Sequence, residues 1–278
     1  MINNAKYNLR IGWLYPKLMS TYGDRGNIIV LAKRCEWRGI GAQVINLDEG
    51  FSVKLLNDVD VLFMGGAQDL QQKIVSDDFS KDKIKLLKEK VENGTPGLYV
   101  CGAYQFLGKY YKEANGNIIK GLGILDLYTL SPGDSKKRLI GDIAFKSSIN
   151  FKRQESIIIG FENHGGRTYL GKNIKPFGTL IKGFGNNGNQ PATEGGKALQ
   201  AGDKTEGAIY KNSIGTSLHG PILPKNPQIA DFLIEKALEI KYGEKIKLEK
   251  LDDSLSQKAR KSVLKKLFLF KFNHCENY

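Results

Sequence analysis

The stretch Leu98-Tyr99-Val100-Cys101-Gly102-Ala103-Tyr104-Gln105 decides how the rest of the chain is read. An apolar run breaks at a cysteine, passes through a glycine and takes on helical composition. A strand over 97–100 is therefore expected to run directly into a helix over 103–111. A side chain at such a turn is lifted clear of the sheet, and the following helix aims its N-terminus at the same point. That arrangement lowers a thiol's pKa and offers backbone N–H groups to an oxyanion. Gly102 leaves room for a substrate to approach. Two readings of Cys101 stay open on these residues: a nucleophile, or a small buried side chain that closes a sheet.

On both sides of this junction the pattern alternates strand and helix. Residues 9–15 read as a buried strand, followed by the turn TYGDRGN and a helix over 28–37. A short strand over 42–47 comes next. The apolar run 59–64 ends in Gly65-Gly66, and 81–91 has helical spacing of Ile84, Leu87 and Val91. Strands joined by helical crossovers imply an α/β fold with a mainly parallel sheet flanked by helices. The second half reads as strand-rich, over 139–145, 157–161, 206–210 and 214–218. The Gly/Asn-rich segment 183–196 reads as a flexible excursion or a lid. Asn226-Pro227 opens a helix that runs to about 240.

The chain has 278 residues, 41% hydrophobic and 26% charged, which is globular composition and excludes a wholly disordered chain. Its 42 Lys+Arg against 29 Asp+Glu give a formal charge of +13, attractive to polyanions of any kind. The last 38 residues, 241–278, hold ten Lys/Arg and five Asp/Glu. Within them Leu255, Ala259, Val263, Leu264, Leu267 and Phe268 recur at helical spacing, a basic amphipathic helix expected to dock on the domain. The expected division is a domain over 1–243 and a basic extension over 244–278. Cys35, Cys101 and Cys275 form no disulfide framework, and His164, His219 and His274 have no metal-ligand spacing. His274-Cys275 reads as a frayed tail. No signal-type or membrane-spanning run is present in the sequence, so a cytoplasmic location is expected.

A thiol nucleophile needs a base. His219, in Ser217-Leu218-His219-Gly220-Pro221, stands at the end of an apolar strand, where open α/β sheets place ligand chemistry. His164, in Phe161-Glu162-Asn163-His164-Gly165-Gly166, has the same placement and is its rival. The turn after Phe63-Met64, Gly65-Gly66-Ala67-Gln68-Asp69, could present a bare N–H that completes an oxyanion hole with Gly102. No phosphate-binding loop of G-x-x-x-x-G-K-[ST] or G-x-G-x-x-G type occurs, so chemistry that needs ATP must draw it from another polypeptide.

These motifs together resemble class I glutamine amidotransferases of flavodoxin-like fold. More narrowly they resemble the cobyric-acid-synthase-like (CobB/CobQ) branch, and within it the glutamine amidotransferase subunits of lipid II isoglutaminyl synthases. The narrower likeness rests on Leu14-Tyr15-Pro16 through Tyr22-Gly23-Asp24-Arg25-Gly26-Asn27, on Gly65-Gly66-Ala67-Gln68-Asp69, and on Gly160-Phe161-Glu162-Asn163-His164-Gly165-Gly166-Arg167. It spans about residues 8–240. The resemblance implies that Cys101 attacks the side-chain amide of L-glutamine and that His219 is its base. It implies oxyanion N–H groups on Gly66 and Gly102, and substrate contacts from Gln105 and from Arg138, with Arg167 as a second candidate for the α-carboxylate. It implies no metal or cofactor in this chain. It also implies a heterodimer with a Mur-ligase-like subunit, MurT, which would use ATP and Mg to activate the stem-peptide D-glutamate of lipid II. No nucleic acid is implied, and at most peripheral contact at the inner face of the membrane. One departure matters: many class I domains carry a Glu two residues after the histidine, and here that position is Pro221. The resemblance places the missing acid on the partner. An acceptor of corrin type, or a non-catalytic basic module on the same fold, are the competing readings.

Overall fold

Two short apolar runs set the architecture. Val61–Met64 and Gly97–Val100 are buried at every position, as strands covered by helices on both faces must be. In the computed structural model, which describes residues 5–67, 69–133, 137–151, 156–189, 192–194, 197–200 and 203–269, they are the middle of a six-stranded sheet. Its order is Ala208–Tyr210, Ser213–Thr216, Gly97–Val100, Val61–Met64, Asn8–Leu14, Gly41–Leu47. Neighbours run parallel except for the edge pair Ala208–Tyr210 and Ser213–Thr216.

Period-two alternation divides the core. Phe63, Leu98 and Val100 cluster with Ile28 and Leu31 of helix Arg25–Glu36 and with Ile229 and Leu233 of helix Pro227–Tyr242. Leu62, Met64 and Tyr99 belong to a second cluster with Leu56, Leu87, Val91 and Phe106, from helices Val53–Asn57, Lys81–Glu92 and Gly102–Phe106. The α/β architecture read from the sequence is the observed one.

Some elements differ from expectation. The helix after Cys101 covers Gly102–Phe106 instead of 103–111. At Gly108 the chain lies close against Leu127, and a Cβ there would stand 2.3 Å from Leu127 Cδ1, so glycine is what fits. The chain turns there, Lys109 N–H donates to Leu127 O, and Tyr110–Lys112 pairs with Leu127–Leu130. The expected strands 206–210 and 214–218 are each split in two. Thr205–Glu206 and Leu218–His219 are the two edges of a separate antiparallel sheet completed by Gly178–Lys182, Leu139–Ser147 and Ile157–His164. The chain crosses between the sheets at Gly207 and Ser217. Gly207 has φ +60°, and a Cβ there would lie 2.3 Å from Gly215 O, so a larger residue does not fit. The second crossing is held by Glu206, whose Oε1 accepts the Thr216 hydroxyl and the Ser217 N–H, both at 2.8 Å. Burial is the largest influence on this carboxyl and pushes its pKa up to about 7.

The described part of the Gly/Asn-rich segment is not a free excursion. Asn186 and Asn187 are fully buried. Asn186 exchanges two hydrogen bonds with the Gly207 backbone, at 3.0 and 2.9 Å, and accepts the Tyr104 hydroxyl at 3.2 Å. Its side-chain amide takes the place of a backbone partner at the sheet crossing, which composition does not reveal. Residues 190–191 and 195–196 of the segment, and the His274-Cys275 pair, lie outside the described residues.

The helix Ser254–Leu269 docks on the second sheet. Leu267 packs with Ala144 and Ile159, and Val263 and Leu264 flank them. Its anchor is Arg260, 1% exposed, which donates to Lys225 O, Asn226 Oδ1 and Ile157 O at 2.9, 2.6 and 2.8 Å. Asn226 in turn bonds the Ile159 N–H, Ile159 O and Ile222 O. Arg34, equally withdrawn from water, pairs with both Asp231 and Asp253 and ties the segment ahead of this helix to the domain. Replacing Arg260 by Leu removes three hydrogen bonds, to Lys225 O, Asn226 Oδ1 and Ile157 O. Each buried polar group left unsatisfied costs about 1–3 kcal/mol, so the substitution should lower stability by about 2–4 kcal/mol. Urea unfolding should show a lower midpoint at unchanged slope.

Candidate active site

Cys101 occupies the turn itself. Its backbone has φ 48° and ψ −105°, a sparsely populated conformation for a residue with a side chain. The parallel ladder reaches this far, because the Cys101 N–H donates to Thr216 O at 2.7 Å. The thiol is half-buried and unpaired, while Cys35 is buried and held neutral, its pKa raised to about 12 by burial. Gly102 lies against the turn that follows Val61–Met64. A Cβ there would sit 2.9 Å from both Ala67 N and Ala67 O. Glycine is therefore what lets the helix N-terminus and the Gly65-Gly66-Ala67 turn meet. As the first helical residue, Gly102 keeps an N–H with no intrahelical acceptor.

His219 is brought to Cys101 by pairing. Ser213–Thr216 lies beside Gly97–Val100, and three residues beyond Thr216 the chain presents the histidine. The ring is 2% exposed and packs on Gly66, where a Cβ would come within 2.8 Å of its Cε1. Tyr22 closes the other side, ring to ring at 4.8 Å and 65°. Neither ring nitrogen makes a hydrogen bond in this conformation. The pKa of His219 stands at about 9. Burial alone pushes it down; the Asp24 carboxylate and the Cys101 sulfur beside it outweigh that and favour the imidazolium.

The turn TYGDRGN builds the walls of this site. Asp24 is fully buried and accepts the Gly66 N–H at 2.6 Å through Oδ2, while its Oδ1 is 3.9 Å from His219 Nδ1. Gly26 makes room for Pro221, whose Cγ would stand 2.3 Å from a Cβ there. Asn27 Oδ1 accepts the Leu223 N–H at 3.0 Å. Both contacts fix the segment after His219 to the start of helix Arg25–Glu36. In the sequence this turn reads as a connection; the acid bracketed by Gly23 and Gly26 is its one local signal.

The Gly66 N–H, expected to face an oxyanion, donates to Asp24 here, and Gly66 also supplies the flat surface under the His219 ring.

The remaining candidates separate cleanly. Arg138 is exposed and its guanidinium is steered by Asn163, Nε to Oδ1 and Nη2 to the backbone carbonyl, both at 3.0 Å. Asn163 Nδ2 reaches the Tyr22 hydroxyl at 3.4 Å, so a chain of contacts links Arg138 through Asn163 and Tyr22 to His219. Gln105 extends toward Gly166, where a Cβ would stand 2.7 Å from its Nε2. Arg167 is buried and holds backbone, with Nη1 on Gly165 O at 2.6 Å and Nη2 on Lys137 O at 2.9 Å. His164 is buried with Nδ1 at 2.9 Å from Gly166 O and Nε2 at 3.5 Å from Glu162. Those contacts hold Arg167 and His164 on Gly165, Gly166, Lys137 and Glu162, while His219 is the histidine that stands beside Cys101.

A glutamine amidotransferase domain model of the CobB/CobQ-like type matches residues 10–227. The chain belongs to the CobB/CobQ-like glutamine amidotransferase family. It is 41% identical over 249 residues to the protein of Staphylococcus aureus named lipid II isoglutaminyl synthase (glutamine-hydrolyzing) subunit GatD, covering 88% of this chain and 90% of that one. The Streptococcus pneumoniae protein of the same name is 38% identical, over 91% and 90% of the two chains. A cobyric acid synthase of Listeria innocua is 33% identical over 49% of this chain and 24% of its own length. Among solved structures, PurLQS from Thermotoga maritima superposes with a TM-score of 0.51 at 13% identity, covering 85% of this chain and 99% of that one, which supports the fold.

His219 makes a pH-dependent contribution to stability whose sign follows from its shift. The folded pKa of about 9 lies above the ordinary 6.5. The stabilisation is therefore complete below pH 6.5 and is lost as pH rises through 9. Thermal unfolding of the wild-type chain should weaken across that window more than that of His219→Gln, whose profile should be flatter there.

Proposed function

We propose that this chain is the glutaminase subunit of a lipid II isoglutaminyl synthase. The observation that carries the chemistry is a half-buried thiol on a strained strand-to-helix turn, with the His219 imidazolium beside it. The choice of acceptor is supported by relatives of that name matched along about nine-tenths of both chains, while the cobyric acid synthase match covers under a quarter of its protein.

In the reaction this implies, glutamine's α-carboxylate is held by Arg138, whose fork Asn163 orients. Gln105 faces the bound substrate from the helix. Sulfur attacks the side-chain amide carbon, and the carbonyl oxygen takes up negative charge against the Gly102 N–H at the helix N-terminus. The imidazolium of His219 gives its proton to the departing nitrogen, the C–N bond breaks, and ammonia leaves a γ-glutamyl thioester on Cys101. His219, now neutral, takes a proton from water as it attacks the thioester, which releases glutamate and restores the Cys101 sulfur and the protonated ring. A ring that holds its proton suits this sequence, because the proton needed by the leaving group is already there.

The acceptor half-reaction belongs to a second subunit. We assign it to a Mur-ligase-like partner, MurT, which would use ATP and Mg to activate the D-glutamate α-carboxyl of the lipid II stem peptide and receive ammonia to form D-isoglutamine. Ammonia that escapes to water near neutral pH is largely protonated and loses its nucleophilicity, so a shielded route between the subunits is part of the proposal. No described helix is long and apolar enough to cross a membrane. We place the complex in the cytoplasm at the inner membrane face, where its substrate is anchored.

Cys101→Ala should abolish glutamine-dependent amidation by the assembled complex and leave amidation from added ammonium intact; glutamine-dependent turnover at the wild-type rate would refute the assignment. Arg138→Ala should raise KM for glutamine by about 10–100-fold, since a lost hydrogen bond to a charged group costs about 1.5–3 kcal/mol. Its effect on kcat should be much smaller, and glutamine saturation curves measure both.

A further inference from the structure

We propose that the outward face of helix Ser254–Leu269 is a docking surface for an anionic lipid bilayer. The inference deepens the placement of the complex at the membrane face, proposed above, by naming the surface that holds it there. The helix lies beyond residue 227, where the amidotransferase domain match ends. It is 16 residues long, and no described helix is long and apolar enough to cross a membrane. A helix of this kind lies on a bilayer and does not span it.

The way the helix docks decides which side it shows. Arg260 and Leu267 are buried, and Val263 and Leu264 flank Leu267 against Ala144 and Ile159. At about 100° per residue, Lys258 and Lys265 then point nearly the opposite way, with Lys261 beside them inside an arc of about 60°. All three are exposed, and among the described residues none of them meets a carboxylate. Lys266, at the edge of this face, stands 4.0 Å from Asp142, and both side chains are exposed. The helix sequence, SLSQKARKSVLKKLFL, contains no Asp or Glu. The two acids just ahead of it are engaged, Asp253 by Arg34 and Asp252 by the Ser254 N–H at 2.9 Å. The outward face of the helix thus carries positive charge alone.

Charge of this sign suits any polyanion, and the apolar residues on the same face choose among them. Leu255 is 80% exposed and Phe268 39%, one near each end of the helix. Both fall within about 60° of the lysine arc. A bilayer accommodates the two kinds of side chain together: anionic headgroups meet the lysines, and leucine and phenylalanine enter the boundary with the acyl chains. Nucleic acid would offer phosphates to the lysines and leave the exposed leucine in water. The three hydrogen bonds of Arg260, to Lys225 O, Asn226 Oδ1 and Ile157 O, hold the helix in this orientation, so binding needs no rearrangement of the domain.

Co-sedimentation of the full chain with lipid vesicles tests the inference. Vesicles of equal parts phosphatidylglycerol and phosphatidylcholine should bind the chain, and vesicles of phosphatidylcholine alone should not. Each lysine near an anionic surface strengthens binding about fivefold, so Lys258→Gln, Lys261→Gln and Lys265→Gln together should weaken it by about 100-fold. Leu255→Ser should weaken it severalfold, and higher salt should weaken it as well. Lys81, Lys85 and Lys88, exposed on helix Lys81–Glu92, are the control. Their change to Gln removes the same charge from another face and should leave binding within about threefold of wild type. An equal loss in both triple variants would overturn the inference, because the net charge of +13 would then be the cause. Undiminished binding by the helix triple variant would overturn it too. So would a lysine-dependent affinity for a DNA oligonucleotide with none for vesicles. If a variant fails to fold, the wild-type chain still decides: equal binding to both vesicle types, or binding to neither, overturns the inference. Cys101→Ala should bind vesicles as the wild type does, and the helix triple variant should hydrolyse glutamine in the complex at the wild-type rate. Failure of the membrane surface therefore leaves the glutaminase reading standing, and failure of that reading leaves the membrane surface standing.

Discussion

Everything at this site depends on the parallel pairing of Gly97–Val100 with Ser213–Thr216. Because the two strands run in the same direction and in register, their C-terminal ends leave the sheet at one edge. One end becomes the Cys101 turn and the other leads to His219. The hydrogen bond from Cys101 N to Thr216 O is the last rung of that ladder and locks the two exits together. The thiol and the imidazole, 118 positions apart in the sequence, are thereby brought together by ordinary sheet pairing, and the strain is confined to the Cys101 turn.

The harder requirement is to turn the second strand out of the sheet immediately beyond that rung. Ser217 marks the point where the chain stops pairing with the parallel sheet and starts pairing with Ile157–His164. Glu206 secures the crossing from the neighbouring strand by accepting from both Thr216 and Ser217, and Asn186 supplies the missing partners at the adjacent crossing. Glu162 does the same for Phe184 and Gly185. Buried carboxylates are expensive unless well satisfied. Their concentration where two sheets exchange strands reflects the number of backbone groups that lose regular partners there. The docked C-terminal helix adds a brace on the far side, since Arg260 grips Asn226 at the end of the segment that begins with His219.

Much of this was legible from the residues. Apolar runs ending in glycine located the central strands, and the Cys101-Gly102 junction located the strand-to-helix turn with its half-buried thiol, because both are local patterns. The contacts of Asp24 are not legible in the sequence, because its partners, Gly66 and His219, are 42 and 195 positions away. His164 and His219 look alike in sequence, each at a strand end before glycine; bonds to Gly166 and Glu162 separate them. The helix expected over 103–111 ends at Phe106, and residues 110–112 pair with Leu127–Leu130 instead, a long-range pairing that periodicity cannot anticipate. The segment 183–196 reads as a flexible excursion or a lid from its glycines and asparagines, yet Asn186 and Asn187 are buried and Asn186 acts as a backbone surrogate in the interior.

The central claim is that amide cleavage passes through a covalent bond to the Cys101 sulfur. Acid quenching of the complex during steady turnover of isotopically labelled glutamine, followed by peptide mass spectrometry, tests it directly. The account predicts a γ-glutamyl adduct on the peptide that contains Cys101, with the label retained and no adduct on Cys35. Turnover that continues at full rate after Cys101 has been stoichiometrically alkylated, or an adduct confined to another residue, would contradict it.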